Sequence, residues 1–325
     1  MVGLNVGNDR LIYSDPESIP VVCLMGPTAT GKTDAAAQCA DLFDCEIISV
    51  DSSLVYRGMD IGSAKPDAEF LRRYPHYLVD VRDPNDTYSV ADFFRECSEL
   101  IKQITERGNV PVLAGGTMFY FNALEHGLNE LPNADPDLRN SIDLEAQQTG
   151  WPKQHERLAA LDPQNAARID PNDAQRIQRG LEIVLSSGKT LSEHNDSRRK
   201  PVPNPLIKLA LSFSDRAVLH RRIEKRFDIM LEKGLEGEVT SLLGSGVDPE
   251  TTAMRMIGYR QMLEYLEGDL TYDEMRQKGV AATRQLAKRQ LTWLRNQPNQ
   301  VWWVDEGLET ANFKSLTEYV NGYFL

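Results

Sequence analysis

The sequence predicts an α/β fold: a P-loop NTPase-like parallel sheet flanked by helices, with a mainly helical insertion domain. Three observations carry this. Gly26-Pro27-Thr28-Ala29-Thr30-Gly31-Lys32-Thr33 is a complete P-loop, set between an apolar run and a helical stretch. Strand and helix patterns alternate through the first 125 residues. Strand character then fades between Leu131 and Pro205, where Pro, Gly and Asp breaks separate short helical stretches.

In chain order, residues 1–19 read as a flexible N-terminal extension, because Asp9, Asp15, Pro16 and Glu17 leave no apolar core of signal-peptide length. Val21 to Met25 is an uninterrupted apolar run, as a strand covered on both faces requires. A helix follows the P-loop from Asp34 to Phe43, and Glu46 to Val50 is the second strand. Tyr77 to Val81 and Val110 to Ala114 are further strands. Helices are expected over Ser89 to Arg107 and Thr117 to Glu125, the first opened by a capping-box-like pair, Ser89 and Asp92. Inside the insertion, Asp137 to Gln148, His155 to Leu161 and Asp173 to Ser186 are the helical stretches. Pro201-Val202-Pro203-Asn204-Pro205 then forms a stiff extended connector. Leu206 to Phe213 returns as a strand, helices run from about Asp215 through Asn296, and Val301 to Val304 is a late strand completing the sheet. The expected boundaries are therefore a core of residues 20–131 and 206–325 around an insertion of residues 132–205.

Bulk properties narrow the class. A chain of 325 residues can bury one large core or two moderate ones. Apolar runs are strand-sized, well short of the roughly 18 residues of a membrane helix, so no membrane partner is expected. Cys23, Cys39, Cys45 and Cys97 lie on expected core elements without metal-type spacing, which fits free thiols in a reducing cytoplasm. The net charge of −12 argues at first against a nucleic-acid partner. Positive residues nevertheless cluster. Arg216, Arg221, Arg222, Lys225 and Arg226 face one acid, Glu224, and the stretch holding Arg284, Lys288, Arg289 and Arg295 has none. Such stripes are either solvated helix faces or a backbone-binding groove, and charge alone favours the first.

The P-loop places successive N–H groups at a helix N-terminus, with Lys32 as a mobile positive charge and the Thr33 hydroxyl as a ligand for Mg2+ beside the phosphates. Asp51 closes the second strand at the carboxyl edge of the sheet. Three roles are open to it: orienting Mg2+, acting as a general base, or capping the next element. Ala114-Gly115-Gly116-Thr117 ends the fourth strand, where Thr117 either donates to a phosphate oxygen or caps the following helix.

Taken in order, several motifs resemble those of the bacterial tRNA dimethylallyltransferase (IPP transferase) family. They are the P-loop, Asp51 through Pro66, His76-Tyr-Leu-Val-Asp80 with Asp83-Pro84, Ala114 through Tyr120, Asn172 through Arg179, Arg255 through Arg260, and Ala282 through Arg295. The resemblance spans residues 20 to 305. It implies transfer of a dimethylallyl group from dimethylallyl diphosphate to N6 of adenosine 37, in tRNAs reading codons that start with U. The P-loop would then cradle an isoprenoid diphosphate, with Mg2+ at Thr33 and an arginine, Arg222, facing the phosphates. Arg221 and Arg226 compete for that last position. Thr117 would contact the bridging oxygen, and Asp51 would accept a proton or hydrogen bond from the adenine amine. The resemblance makes Asp51, Ser52, Ser53, Leu54 and Thr117 contacts of the flipped base. Arg139, Gln175, Arg176, Arg179, Arg255, Gly258, Tyr259, Arg260, Lys288, Arg289, Gln290, Trp293 and Arg295 become contacts of the tRNA anticodon stem-loop. By themselves, His76 and Trp293 read as packing residues. Gly180 stands where alanine is usual and would loosen its helix by up to about 1 kcal/mol. The lack of cysteine after Cys97 points away from the zinc module of eukaryotic relatives. A cytoplasmic monomer is expected. Rival readings are an adenylate isopentenyltransferase, a nucleotide or nucleoside kinase holding ATP, and a non-catalytic RNA-binding protein. The first two leave the basic C-terminal motifs without a purpose, and binding alone does not require Lys32, Thr33, Asp51 and Thr117 together.

Overall fold

The computed structural model describes residues 15–132, 135–194, 198–297 and 301–305. The expectation for residues 1–14 lies outside that set. Residues 15–19 depart from it: Pro16–Ser18 form a 3-10 turn capped by Asp15, and Ile19 is buried. Asn204 holds this segment by donating its amide to the Pro16 and Ile19 carbonyls at 3.0 and 2.9 Å.

The chain forms two compact units, one comprising residues up to Glu125 and from Val202 on, the other His126–Pro201. In the first, β1 (Val21–Met25), β2 (Cys45–Val50), β3 (His76–Tyr77), β4 (Val110–Gly115), β7 (Leu206–Ser212) and β8 (Val301–Asp305) build a parallel sheet of order β3-β2-β4-β1-β7-β8. β1 is the central strand and all five of its residues are buried. Its P-loop end lies where neighbours diverge, toward β4 and β2 on one side and β7 on the other, the crevice in which open α/β sheets bind ligands. α1 (Lys32–Leu42) packs Ala35, Ala36 and Cys39 on Val22, Leu24, Ile47, Val112 and Leu209. Small residues on α1 bring its axis close to the sheet. α3 (Val90–Glu106) carries the expected capping box, with Asp92 N–H donating to Ser89 Oγ and Ser89 N–H to Asp92 Oδ2, both at 3.1 Å. α4 (Met118–His126) follows β4, and α9 (Arg216–Glu232), α10 (Leu235–Gly244), α11 (Tyr259–Leu266) and α12 (Tyr272–Arg295) follow β7.

Two local expectations change. Tyr77 to Val81 is a strand only at its start, because Leu78 and Asp80 take left-handed angles, φ 61° and 55°. Lys65 holds that turn by donating to Asp80 Oδ1 at 2.5 Å, to Asp60 Oδ1 at 2.6 Å and to the Tyr56 carbonyl at 2.8 Å. A short helix, α2 (Ala68–Arg73), appears where none was predicted, capped by Asp67.

The second unit contains α5 (Pro136–Thr149), α6 (Trp151–Leu161), α7 (Pro163–Ala166) and α8 (Ala174–Ser187). Leu128–Asn129 (β5) and Arg198–Arg199 (β6) pair antiparallel at its base. That pairing moves both boundaries toward the N-terminus of the 132–205 expected from composition. Its core is small: Ile142, Leu158, Ala166, Ile177 and Leu181. Gly180 belongs to it, since a Cβ there would stand 2.8 Å from Leu158 Cδ2 and 3.0 Å from Asn165 Nδ2.

Candidate active site

The P-loop turns sharply out of β1. Ala29 and Gly31 adopt φ 66° and 88°, the left-handed angles from which anion-binding nests are built. Gly31 caps α1 without a side-chain hydrogen bond, so the first turn of the helix keeps its N–H groups for a phosphate. Thr30 Oγ1 donates to the Pro27 carbonyl at 2.9 Å and Lys32 Nζ to the same oxygen at 2.6 Å. Burial lowers the Lys32 ammonium to about 7; Asp51 pulls it back up and Arg226 depresses it further.

A cavity of about 930 Å³ opens over the carboxyl ends of the strands. Thr28, Ala29, Gly31, Lys32 and Thr33 line it together with Asp51, Ser52, Ser53, Leu54, Thr117, Arg222, Tyr259, Arg289, Gln290 and Trp293. Gly26, Pro27 and Thr30 support the loop from behind the lining. Asp51 Oδ1 accepts from Ser53 N–H at 2.9 Å and Ser53 Oγ at 2.5 Å, so one oxygen caps the turn. Its second oxygen has no hydrogen-bond partner among the described residues. Thr117 Oγ1 does not cap α4 but accepts from Ser52 N–H at 3.0 Å, linking the ends of β2 and β4 beside Asp51.

α9 and α12 close the cavity. Leu219 and Ile223 of α9 pack on Ala287 and Leu291 of α12, with Ala29 of the P-loop against the same cluster. Arg222 Nε donates to the Ala29 carbonyl at 2.8 Å, and Arg226, one turn on, donates to the Ser63 carbonyl at 3.2 Å. Both line the cavity with Lys225, whereas Arg221 does not. The ambiguity among the three arginines thus narrows to two on one helix face. Gln290 is buried, and its side chain is committed to the frame. It donates to the Gly116 carbonyl at 2.7 Å and accepts from Thr28 N–H at 3.2 Å, tying the P-loop to the β4 edge. A Cβ on Gly116 would lie 2.6 Å from the Gln290 amide, so only glycine allows this bridge.

Other motif residues also turn out to be structural. Tyr259 is fully buried and donates to Glu238 Oε1 at 2.7 Å. Glu238 in turn accepts from the N–H groups of Asp60, Ile61 and Gly62 at 2.7 to 3.0 Å, which fixes the loop between Asp51 and Pro66. Gly258 starts α11 at φ 95°. Arg255 and Arg260 are exposed and face Glu250 and Glu264 at 2.5 and 3.9 Å. Lys288, Arg289 and Arg295 are exposed with no ion pair among the described residues, while Arg284 bonds Glu224 at 3.1 Å. In the second unit, Arg139 and Arg179 converge on the buried Glu182 at 3.1 and 2.8 Å, and Gln175 and Arg176 stand exposed on α8. Burial works to raise the Glu182 carboxyl, but the two arginines hold it below its ordinary value. Sequence reasoning assigned no role to Ser49 or Phe119, both in the cavity wall, named Lys225 only as part of a basic stripe, and left His76, also there, as packing. Phe119 carried a signal, as the residue after the Thr117-Met118 edge.

Residues 54–297 match the model of the IPP transferase family, about three quarters of the chain. The chain belongs to the IPP transferase family. A tRNA dimethylallyltransferase of Thiobacillus denitrificans is 54% identical over 283 residues, 87% of this chain and 90% of that one. Its counterpart from Bordetella avium is 51% identical over 285 residues, 87% and 91% of the two chains. Among solved structures, the tRNA isopentenylpyrophosphate transferase of Bacillus halodurans superposes with a TM-score of 0.70 at 36% identity, covering 94% of this chain and 97% of that one. A eukaryotic dimethylallyltransferase described as acting on tRNA superposes with a TM-score of 0.76 at 25% identity, covering 94% and 80%. Three of the free thiols are packed as expected: burial raises Cys23 to about 12, and Cys39 and Cys97 are buried too, whereas Cys45, at the start of β2, is only half-buried. No helix among the described residues is long and apolar enough to cross a membrane.

Proposed function

We infer that this IPP transferase family member moves a dimethylallyl group from dimethylallyl diphosphate to N6 of adenosine 37, in tRNAs that read codons starting with U. The observation that carries this reading is that the P-loop cradle and the free oxygen of Asp51 open into one cavity. A phosphate cradle alone would suit ATP. A carboxylate facing it suits a nucleophile that must lose a proton.

The amine nitrogen attacks the allylic carbon, the carbon–oxygen bond breaks, and its electron pair stays on the diphosphate. Asp51 takes the proton that the amine gives up. Lys32, the amides of the P-loop, Arg222 and Arg226 stabilise charge on the leaving oxygens, the main electrostatic task of the step. Thr117 sits beside Asp51 to meet the bridging oxygen. Among the described residues no cluster of three or more His, Cys, Asp or Glu forms a protein cage for a metal. The oxygen donors that line the cavity beside the P-loop, the Thr33 hydroxyl and the Asp51 carboxylate, suit Mg2+, which binds through few protein oxygens, substrate phosphates and water, and Thr33 would hold it. When bound, the ion adds positive charge to the departing diphosphate. Exposed Lys225, Lys288, Arg289 and Arg295 would grip the anticodon stem-loop, with Trp293 and Phe119 available for stacking on splayed bases. In the second unit Arg139, Gln175, Arg176 and Arg179 would contact the same RNA. We place the protein in the cytoplasm as a monomer.

The deciding assay supplies Mg2+ and dimethylallyl diphosphate with unmodified tRNA or with AMP, and ATP with a nucleoside in a parallel reaction. Prenylated A37 is the expected product. Prenylated AMP would instead indicate the cytokinin-type enzyme, and phosphoryl transfer from ATP would overturn both.

A further inference from the structure

Glu238 falls outside the sequence motifs, yet the fold surrounds its carboxylate with donors. It lies on α10 at the spacing of the buried Leu235, Val239 and Leu242, so the helix turns an acid toward its packed face. Oε2 accepts from the N–H groups of Asp60 and Ile61 at 2.8 and 2.7 Å, and Oε1 from Gly62 N–H at 3.0 Å and the Tyr259 hydroxyl at 2.7 Å. A carboxylate offers about four lone-pair sites, so these donors leave it no capacity for a ligand. The loop is also held sterically, since a Cβ on Gly62 would stand 2.6 Å from the Tyr259 ring and 2.8 Å from Leu235 Cδ1.

The next residue transmits that constraint. Ser63 donates its hydroxyl to the Met59 carbonyl at 2.6 Å, and its own carbonyl accepts from Arg226 Nη2 at 3.2 Å. Among the described residues this is the one hydrogen bond of Arg226, which has no ion pair there. A partly buried guanidinium so placed keeps most of its five N–H donors for the cavity that it lines. Arg226 is close enough to Lys32 to depress that ammonium, so two cations converge beside the P-loop. Polyphosphate oxygens are the acceptors that such a pair suits.

We propose that Glu238 is a positioning residue: by holding the Asp60, Ile61 and Gly62 amides it fixes the Ser63 carbonyl, and through it aims the Arg226 guanidinium at the diphosphate in the P-loop. This rests on the functional reading above. Glu238 acts through Arg226 and not on the reacting atoms.

The test measures inorganic pyrophosphate affinity by calorimetry in metal-free buffer, on the full chain, for the parent, Glu238→Gln, Arg226→Met and the double variant. Glutamine keeps the length but has one acceptor oxygen, so in either orientation its NH2 faces backbone N–H donors and the loop loosens. Arg226→Met should weaken binding by about tenfold or more, and Glu238→Gln by about fivefold. In the Arg226→Met background Glu238→Gln should change affinity by less than about twofold, because the contact it acts through is gone. An equal loss in both backgrounds, or affinity within about twofold of the parent in Glu238→Gln, would overturn the proposal in favour of a role in stability alone. So would a parent that does not bind pyrophosphate, or an Arg226→Met variant that binds as well as the parent. Glu238→Asp keeps the charge but ends one methylene short of the amides, and it repeats the cycle should Glu238→Gln fail to fold. Failure of both variants to fold would also overturn the proposal, leaving Glu238 a residue of the fold. No tRNA or prenyl donor enters, so a parent that binds pyrophosphate yet leaves tRNA unprenylated refutes the functional reading while the cycle still judges Glu238.

Discussion

Asp51 holds two jobs at once: one oxygen caps the turn through Ser53 and the other is open to the cavity. Asp51→Asn separates them, because its amide oxygen still accepts from Ser53 while the base is gone. The expected outcome is an intact fold, tRNA affinity within a few-fold of the parent, and single-turnover prenylation slower by about 100-fold or more. An undiminished rate would leave Asp51 as a turn cap only. Lys32 makes a pH prediction. Burial depresses its ammonium to about 7, so at pH 8 the free protein holds it mostly neutral. A bound diphosphate favours the charged form and raises that value. Binding strength drawn from this charge is thus fully present below about pH 7 and fades as pH rises through the bound-state pKa. Calorimetry of pyrophosphate binding at pH 8, in metal-free buffers of different ionisation enthalpy, should show more proton uptake by the parent than by Lys32→Met. Equal uptake by the two proteins would count against it. The identities of both residues, and both the capping and the base role for Asp51, were legible from the sequence; which oxygen is taken by the turn was not, since it depends on how the folded turn directs each one.

At the scale of elements, the strands and longer helices follow from pattern because β1 is apolar throughout and α3 carries its own cap. The failures are as physical. β3 ends early because Lys65 holds Asp60 and Asp80, five and fifteen residues away, into a turn that local periodicity does not encode. Gly180 looked like a weak point in its helix, yet it makes room for Leu158 of α6. Gly180→Ala gains up to about 1 kcal/mol of helix propensity and meets a crowded contact. In a Leu158→Ala background, which itself costs about 2 to 5 kcal/mol, the added methyl instead fills part of the space left empty. A double-mutant cycle by chemical denaturation should therefore return a favourable coupling of roughly 0.5 kcal/mol or more. Strict additivity would show that the two helices do not share that contact.

For the molecule as a whole, a net charge of −12 coexists with cations that have no ion pair among the described residues. Among the described residues, Lys288, Arg289 and Arg295 are exposed without an acidic partner, while Arg284 is engaged by Glu224. Replacing the first three together with glutamine should weaken tRNA binding and reduce the slope of log affinity against log salt by about 2, on a charge-per-phosphate reckoning for single strands. Arg284→Gln alone should move that slope little. Unchanged slopes in the triple variant would return α12 to an ordinary solvated face. The choice between these readings was not available from charge counting, because an ion pair and a free cation contribute the same letter to the sequence.

Local order along the chain was enough to specify the α/β class, the phosphate cradle and the family motifs, since each depends on residues a few positions apart: a strand, a turn with Gly31, a helix. Tertiary structure alone decided which motif residues reach the cavity. Tyr259 and Gln290 became framework through Glu238 and through Gly116, partners 21 and 174 residues away. Arg226 came into the wall beside Arg222 because α9 leans on α12 and the P-loop through one apolar cluster. That Ser49 and His76 share the face beneath α1 was likewise decided by the pairing of β2 with β3. Short-range chemistry is written in neighbouring letters; which hydrogen-bonding groups remain unpaired is a property of contacts between distant segments, and those exist only in the folded chain.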